Sequence, residues 1–237
     1  MGTSDKAHAK LSASGADRWM SCPGSVALIE QAPPQKDNVW GIEGTLGHSV
    51  MEAILKGSKM PDGISPEMME NVSHMVRFVR KEAKKDYSTL LVEEKVQMPE
   101  SIGPDMFGTL DSAVVQPFGE LHIIDFKYGT SPVDSVENMQ LTYYAIGIAH
   151  THGYEFDRVK FTIVQPRSRQ FSGKPQTWVT DSSYLKRSAK LFAEGVKRTK
   201  YKNAPLQEGK YCYWCPAQGI CPLKAEKRIE KARSYFD

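Results

Sequence analysis

Gly108-Thr109-Leu110-Asp111, followed by Ile123-Ile124-Asp125-Phe126-Lys127, is the part of this chain that decides its fold. Each stretch reads as a short strand with one acidic residue at its end. Strand side chains alternate faces with period two, so Asp125 and Lys127 project to the same side. If the two strands pair, Asp111 and Asp125 converge on one divalent cation with the lysine ammonium beside them. Carboxylates, a hard cation and a lysine next to water form the apparatus of metal-assisted phosphodiester hydrolysis. An Asp-x-Lys tripeptide also arises by chance, so the surrounding sequence has to support that reading.

The strands extend as Thr89 to Met98, Gly108 to Gln116 and Glu120 to Lys127, with Phe118-Gly119 turning the last two into a hairpin. Before them, helices are expected over about Thr45 to Leu55 and Ser65 to Lys85. In the second, Ser65 caps the start and Met68, Met69, Val72, Met75, Val76 and Val79 form an apolar stripe. After them come a helix over Val136 to Thr151, a buried strand over Val159 to Gln165 and an edge strand over Thr177 to Thr180. A long amphipathic helix follows from Ser182 to Thr199, and a short one after Pro222. Ser12 to Glu30 suggests a short helix meeting a turn, and Pro33-Pro34 marks a loop. Strands crossed by helices predict an α/β fold, a small mixed β-sheet flanked by helices.

At 237 residues, with 40% hydrophobic and 25% charged side chains, the chain can bury one substantial core. A single domain over 1–237 is expected, its core at about 41–180. No apolar run approaches the roughly 20 residues of a membrane span. The N-terminus, Met1 to Ala13, is polar and lacks a signal-peptide core, which predicts a cytoplasmic protein. The formal net charge is only +3, but Lys186 to Lys202 and Lys224 to Arg233 are locally basic, a weak electrostatic footprint for nucleic acid. No Walker-type Gly-x-x-x-x-Gly-Lys-Ser/Thr segment occurs, so the chain is not itself an ATP-driven motor.

Other residues fall into place around the opening motif. His48, in Gly44-Thr45-Leu46-Gly47-His48, offers an imidazole that can complete a coordination shell begun by two carboxylates, with Glu52 one turn on. Gln140 and Tyr144 share a helix face; an amide can hold a phosphate, a base edge or water, and a tyrosine can stack on a base. Packing of Tyr144 in the core is the equally ordinary alternative. Glu93 and Glu94, on the preceding strand, are further acids that could supply a ligand, although an edge salt bridge is the commoner role.

The ordered set His48, Asp111, Asp125-Phe126-Lys127 and Gln140-x-x-x-Tyr144 resembles the RecB-like branch of the PD-(D/E)XK nuclease superfamily, over roughly Gly44 to Tyr144. That resemblance implies a restriction-endonuclease-like core and a DNA nuclease, an exonuclease before an endonuclease. It implies Mg²⁺ or Mn²⁺ held by His48, Asp111, Asp125 and the backbone carbonyl of Phe126, with Asp111, Asp125 and Lys127 catalytic. Gln140 and Tyr144 would then contact the DNA. Asp125 stands where most RecB-like members have glutamate. A catalytically silent DNA-binding or assembly factor of the same fold is the alternative.

Four cysteines are present: Cys22, then Cys212-x2-Cys215-x5-Cys221. Without a secretory signal, thiolates at this spacing suggest a metal site rather than disulfides. One distant cysteine joined to a C-terminal trio resembles the iron–sulfur nucleases related to RecB, including AddB-like subunits and the CRISPR-associated RecB-like exonucleases. That implies a [4Fe–4S] cluster, with Zn²⁺ as the alternative, joining N- and C-terminal segments at about 12–30 and 205–230. Tyr211, Tyr213, Trp214 and Pro216 would shield its sulfurs.

The runs His8-Ala9-Lys10-Leu11-Ser12, Arg18-Trp19 and Cys22-Pro23-Gly24-Ser25, together with Asp125-Phe126-Lys127-Tyr128-Gly129, are similar to an uncharacterised phage-associated group of the superfamily. This implies a stand-alone phage or prophage nuclease acting in replication, recombination or repair, with DNA and recombination or replication proteins as partners.

Overall fold

The computed structural model describes residues 9–34, 38–85 and 87–233, so His8 of the N-terminal run lies outside the described residues. Five strands form one mixed sheet in sequence order: β1 (Thr89–Gln97), β2 (Phe107–Gln116), β3 (Glu120–Phe126), β4 (Arg158–Val164) and β5 (Gln176–Asp181). Neighbours are antiparallel except β3 and β4, which run parallel around the crossover helix α5 (Met139–His152). The expected hairpin between β2 and β3 is present, and its turn places Phe118 and Gly119 at φ of 62° and 76°. Each expected strand is found, within a few residues of its expected bounds.

Helices cover both faces of this sheet. On one lie α3 (Val39–Lys56) and α4 (Pro66–Ala83), whose Val50, Met51, Met68, Val72, Met75, Val76 and Val79 pack on Val114, Ile124, Phe126 and Val164. The methionine stripe of α4 is therefore core, filling the irregular gap above the sheet. Ser65 caps α4 as expected, its hydroxyl accepting from Met68 N–H at 3.1 Å. Helix α3 begins six residues before the expected Thr45, because Asn38 accepts from Gly41 N–H at 2.7 Å and starts the helix there.

The opposite face carries α5, α6 (Ser182–Thr199) and the short α1 (Ala16–Ser21), with Trp19, Tyr143, Phe161 and Phe192 fully buried between them. Gly147 brings α5 against β1, since a Cβ there would fall 2.7 Å from Val96 Cγ2. The remaining helices, α2 (Ser25–Gln31) and α7 (Pro222–Arg233), flank two 3-10 turns at Lys210–Trp214 and Pro216–Gly219. Among the described residues, no helix is long and apolar enough to cross a membrane.

One feature of β1 and β2 positions the site. Leu90 and Val114 lie on the α3–α4 face, whereas Val96 and Leu110, of the same parity, lie on the α5 face. Both strands therefore switch faces part-way along. The switch coincides with Glu93, held at φ of 49°, opposite Asp111, between the pairs Val92–Ser112 and Glu94–Leu110. A positive φ is unfavourable for glutamate and persists only where the surroundings impose it.

Beneath α4, His122 is 2% exposed, and its Nε2 lies 2.7 Å from Thr162 Oγ1. Burial pushes the imidazole down to about 4, outweighing the nearby Glu82 carboxylate. A histidine kept neutral in the fold contributes stability above its unfolded pKa of about 6.5, and that contribution is lost as pH falls towards about 4. The His122 ring is expected to stay neutral in an NMR titration until the pH nears 4. The urea midpoint should fall between pH 6.5 and 4, and His122→Leu should flatten that decline.

Candidate active site

The end of the β2–β3 hairpin brings the central residues together. Backbone pairing of β2 with β3 ends at Ser112–Ile124, and beyond it the Asp111 carboxylate takes over, accepting Phe126 N–H through Oδ2 at 2.6 Å. Its other oxygen lies 3.0 Å from His48 Nδ1, so α3 is tied to the sheet at this point. The His48 ring also stands edge-on to Phe126 at 5.5 Å.

Asp125 and Lys127 do project to one side, with Lys127 Nζ 3.0 Å from Asp125 Oδ2. Gln140 bridges them from the first turn of α5. Its carbonyl oxygen accepts from Lys127 Nζ at 2.8 Å, and its amide donates to Asp125 Oδ1 at 3.0 Å and to Tyr144 Oη at 3.2 Å. The orientation of that turn is set by Asn138, whose side chain accepts from Gln140 and Leu141 N–H. Both readings of Tyr144 hold in part: its ring is buried in the core, 6% exposed, while its hydroxyl reaches the polar network.

These groups perturb one another strongly. Burial lowers the affinity of His48 for a proton, but the adjoining Asp111 overcomes this and holds the imidazolium above its ordinary value. Burial would raise Asp111, yet His48, Lys127 and the Phe126 N–H keep it below the usual carboxylate range. Asp125 is pushed up to about 6, chiefly by burial, with Lys127 pulling the other way and Asp111 reinforcing the rise. Two neighbouring acids thus differ in proton affinity, the pattern that functional sites use.

Asp125 Oδ2 is buried and its partner is the Lys127 ammonium at 3.0 Å. A carboxylate held by one ammonium and one amide keeps lone pairs to offer a hard cation. Among the described residues, the trio whose ligand atoms lie mutually within 4.8 Å is His48, Glu93 and Asp111, so the structure adds Glu93 where sequence reasoning gave it second place to an edge salt bridge. Its neighbour Glu94 takes the edge role, 3.3 Å from His152. Nothing in the local sequence marks Glu93, because its placement depends on the positive φ and on the face switch opposite Asp111. Glu93 and Asp111 open on a cleft of about 410 Å³ walled by Ala9, Ser12, Gly41, Gly44, Gly108 and Tyr144, mostly small residues that leave room for a ligand backbone, whereas Asp125 and Lys127 lie outside its lining.

The cysteines form a separate region. Cys22, Cys212, Cys215 and Cys221 line one small apolar cavity with Arg18 and Tyr211. They are not gathered into a ready metal site, however: among the described residues no three of their sulfurs lie mutually within 4.8 Å. A tetrahedral zinc site would bring every sulfur pair to about 3.8 Å, from Zn–S bonds of about 2.3 Å. The two chain ends are joined instead by packing and by Gly24 N–H donating to Pro205 C=O at 3.0 Å. A side chain at Gly24 would fall 2.5 Å from Ala204 O, which explains the glycine. The expected aromatic shield is also only partial, since Tyr211 lines the cavity while Tyr213 and Trp214 are exposed.

Gln140 is the member of the site whose removal leaves two buried partners unpaired. Gln140→Leu is expected to cost about 1–3 kcal/mol, read as a lowered urea midpoint, and Tyr144→Phe distinctly less.

With this geometry in view, comparison with solved structures finds the same fold in a candidate exonuclease from Eubacterium rectale. The TM-score is 0.51 at 11% identity, covering 95% of this chain and 93% of that one. An alkaline exonuclease from Laribacter hongkongensis matches at a TM-score of 0.33 and 12% identity, covering 78% of this chain and 93% of that one. At such identities the first likeness concerns the fold alone. The sequence match is broader in its consequence: residues 8–237 fit the model of the family described as "Protein of unknown function (DUF2800)", and the chain belongs to that family.

Proposed function

We propose that this chain is a divalent-metal-dependent DNA nuclease, acting as an exonuclease on single strands or duplex ends. The observation that carries the reading is the convergence of His48, Glu93 and Asp111 on an open cleft, with the buried Asp125–Lys127 pair beside them. His48, Glu93, Asp111 and Asp125 would hold Mg²⁺ or Mn²⁺, with the Phe126 carbonyl as a further oxygen donor. Their hard-oxygen and imidazole donor set suits such an ion. When bound, the ion supplies Lewis-acid charge at the scissile phosphate.

The chain's own groups do the rest. Lys127, oriented by Gln140, aligns the attacking water and offsets negative charge as the transition state forms. Asp125, pushed up to about 6 by burial, is mostly ionised at neutral pH and would be available there as an oxygen ligand. Gln140 and Tyr144 position the strand, and basic residues of α6 such as Lys186, Arg187 and Lys190 provide sequence-independent phosphate contacts. A setting in phage replication or recombination, inside the host cytoplasm, rests on the sequence resemblance alone.

Cleavage of end-labelled single- and double-stranded DNA should require Mg²⁺ or Mn²⁺ and stop reversibly with chelator. Asp125→Ala should abolish it, and Lys127→Ala should slow it by about 10²–10³-fold. Wild-type cleavage no faster than that of either variant would sink the enzyme reading.

For the cysteines, we propose a [4Fe–4S] cluster. The cavity admits all four side chains, and two sulfurs already accept backbone N–H bonds, Cys22 from Gln207 at 3.3 Å and Cys212 from Gly209 at 3.5 Å. Such bonds stabilise thiolates and tune clusters. A bound cluster would serve as a structural clamp on the two chain ends. Anaerobically purified protein is expected to be brown, with absorbance near ~400 nm that Cys215→Ala removes. Colourless protein with stoichiometric zinc would overturn this.

A further inference from the structure

The first turn of α3 carries Val39, Trp40 and Ile42 at 76%, 67% and 56% exposure, an unusual concentration of apolar surface at a helix start. This turn forms the rim of the cleft. Gly41, Gly44, Thr45 and His48 line the cleft in succession, and Trp40 lies one turn before Gly44, on the adjoining side of the helix. A Cβ at Gly44 would meet nothing within 4 Å, so the path along the helix from Trp40 to His48 is open. Eight residues of helix set Trp40 roughly 12 Å from His48 along the axis.

We propose that Trp40 stacks on an unpaired base of the bound DNA strand, gripping it outside the cleft while the scissile phosphate lies at the acids. This deepens the nuclease reading and rests on it for the position of that phosphate. At the shortest nucleotide spacing, about 3.4 Å per step, 12 Å places the stacked base within about four nucleotides of the cut. A flat indole offers affinity without sequence preference, because every base has a π-face. The apolar surface is confined to one helical turn, well short of the roughly 800 Å² that a stable protein partner would cover. A base is the occupant that matches its size. Only an unpaired base can stack there, so the substrate class is single-stranded DNA or a frayed duplex end.

The test measures affinity rather than cleavage. Binding of a fluorescein-labelled oligothymidylate is followed by anisotropy in Ca²⁺ for wild type, Trp40→Phe and Trp40→Ala, with melting curves to confirm folding. Trp40→Ala should weaken binding by about 5- to 100-fold, and Trp40→Phe much less. A scan of single abasic sites should find one position whose base matters to wild type but not to Trp40→Ala, the non-additivity of a direct contact. Equal affinity of wild type and Trp40→Ala, an abasic loss that persists in Trp40→Ala, or no binding of the oligonucleotide by wild type would overturn the proposal. Wild-type protein that binds with this signature yet cleaves nothing in Mg²⁺ or Mn²⁺ would refute the nuclease reading and leave the Trp40 contact standing.

Discussion

The hydrogen bond from Phe126 N–H to Asp111 Oδ2 is the interaction on which the site depends. The β2–β3 ladder would otherwise end with an unpaired backbone donor deep in the protein, where an orphaned N–H is expensive. A carboxylate side chain replaces the missing carbonyl and is thereby aimed at the cleft, while His48, Lys127 and this N–H together hold Asp111 below the usual carboxylate range. From that fixed point the other contacts follow: His48 pairs with the second oxygen of Asp111, which pins α3 across the strand ends. Asp125, one residue before Phe126, is forced onto the same side as Lys127.

Charge at this point is only partly compensated. Asp111 has His48 and a backbone donor, whereas Asp125, buried against Lys127 and Gln140, keeps a raised proton affinity. Replacing a buried charge pair of this kind with apolar groups is often neutral or stabilising, so stability alone does not account for it. The positive φ of Glu93 adds backbone strain a few ångströms away. Buried charge and strained backbone thus occur together beside the cleft that Glu93 and Asp111 line, a combination that stability alone does not favour.

Most of the architecture was legible in the chain. Alternation over Gly108 to Lys127 predicts the hairpin, the Ser65 cap and the stripe of α4 predict that helix, and Gln140 with Tyr144 four residues on predicts their shared face. The early start of α3 was less visible, because Val39-Trp40-Gly41-Ile42 has no helical apolar periodicity of its own and depends on the Asn38 cap. The cysteine spacing predicts a shared region and the four side chains do line one cavity, but the sulfurs are not drawn to ligating distances. Spacing along a chain limits which residues can meet, and the packing of Gly24 against the 204–205 backbone sets how closely they do.

What the sequence determined by itself is the order of elements and the residue types at their ends, since strand period, caps and turn glycines are local properties. It therefore determined that Asp111, Asp125, Lys127, His48 and Gln140 could share one site. Only the tertiary structure decided the site's membership and electrostatics. Glu93 enters because two strands switch faces together, and Asp125 differs from Asp111 because burial dominates the one while His48 and a ladder N–H offset it in the other. Neither is a property of a segment. Both arise from non-local pairing and burial, in which a group's free energy depends on neighbours far away in the chain.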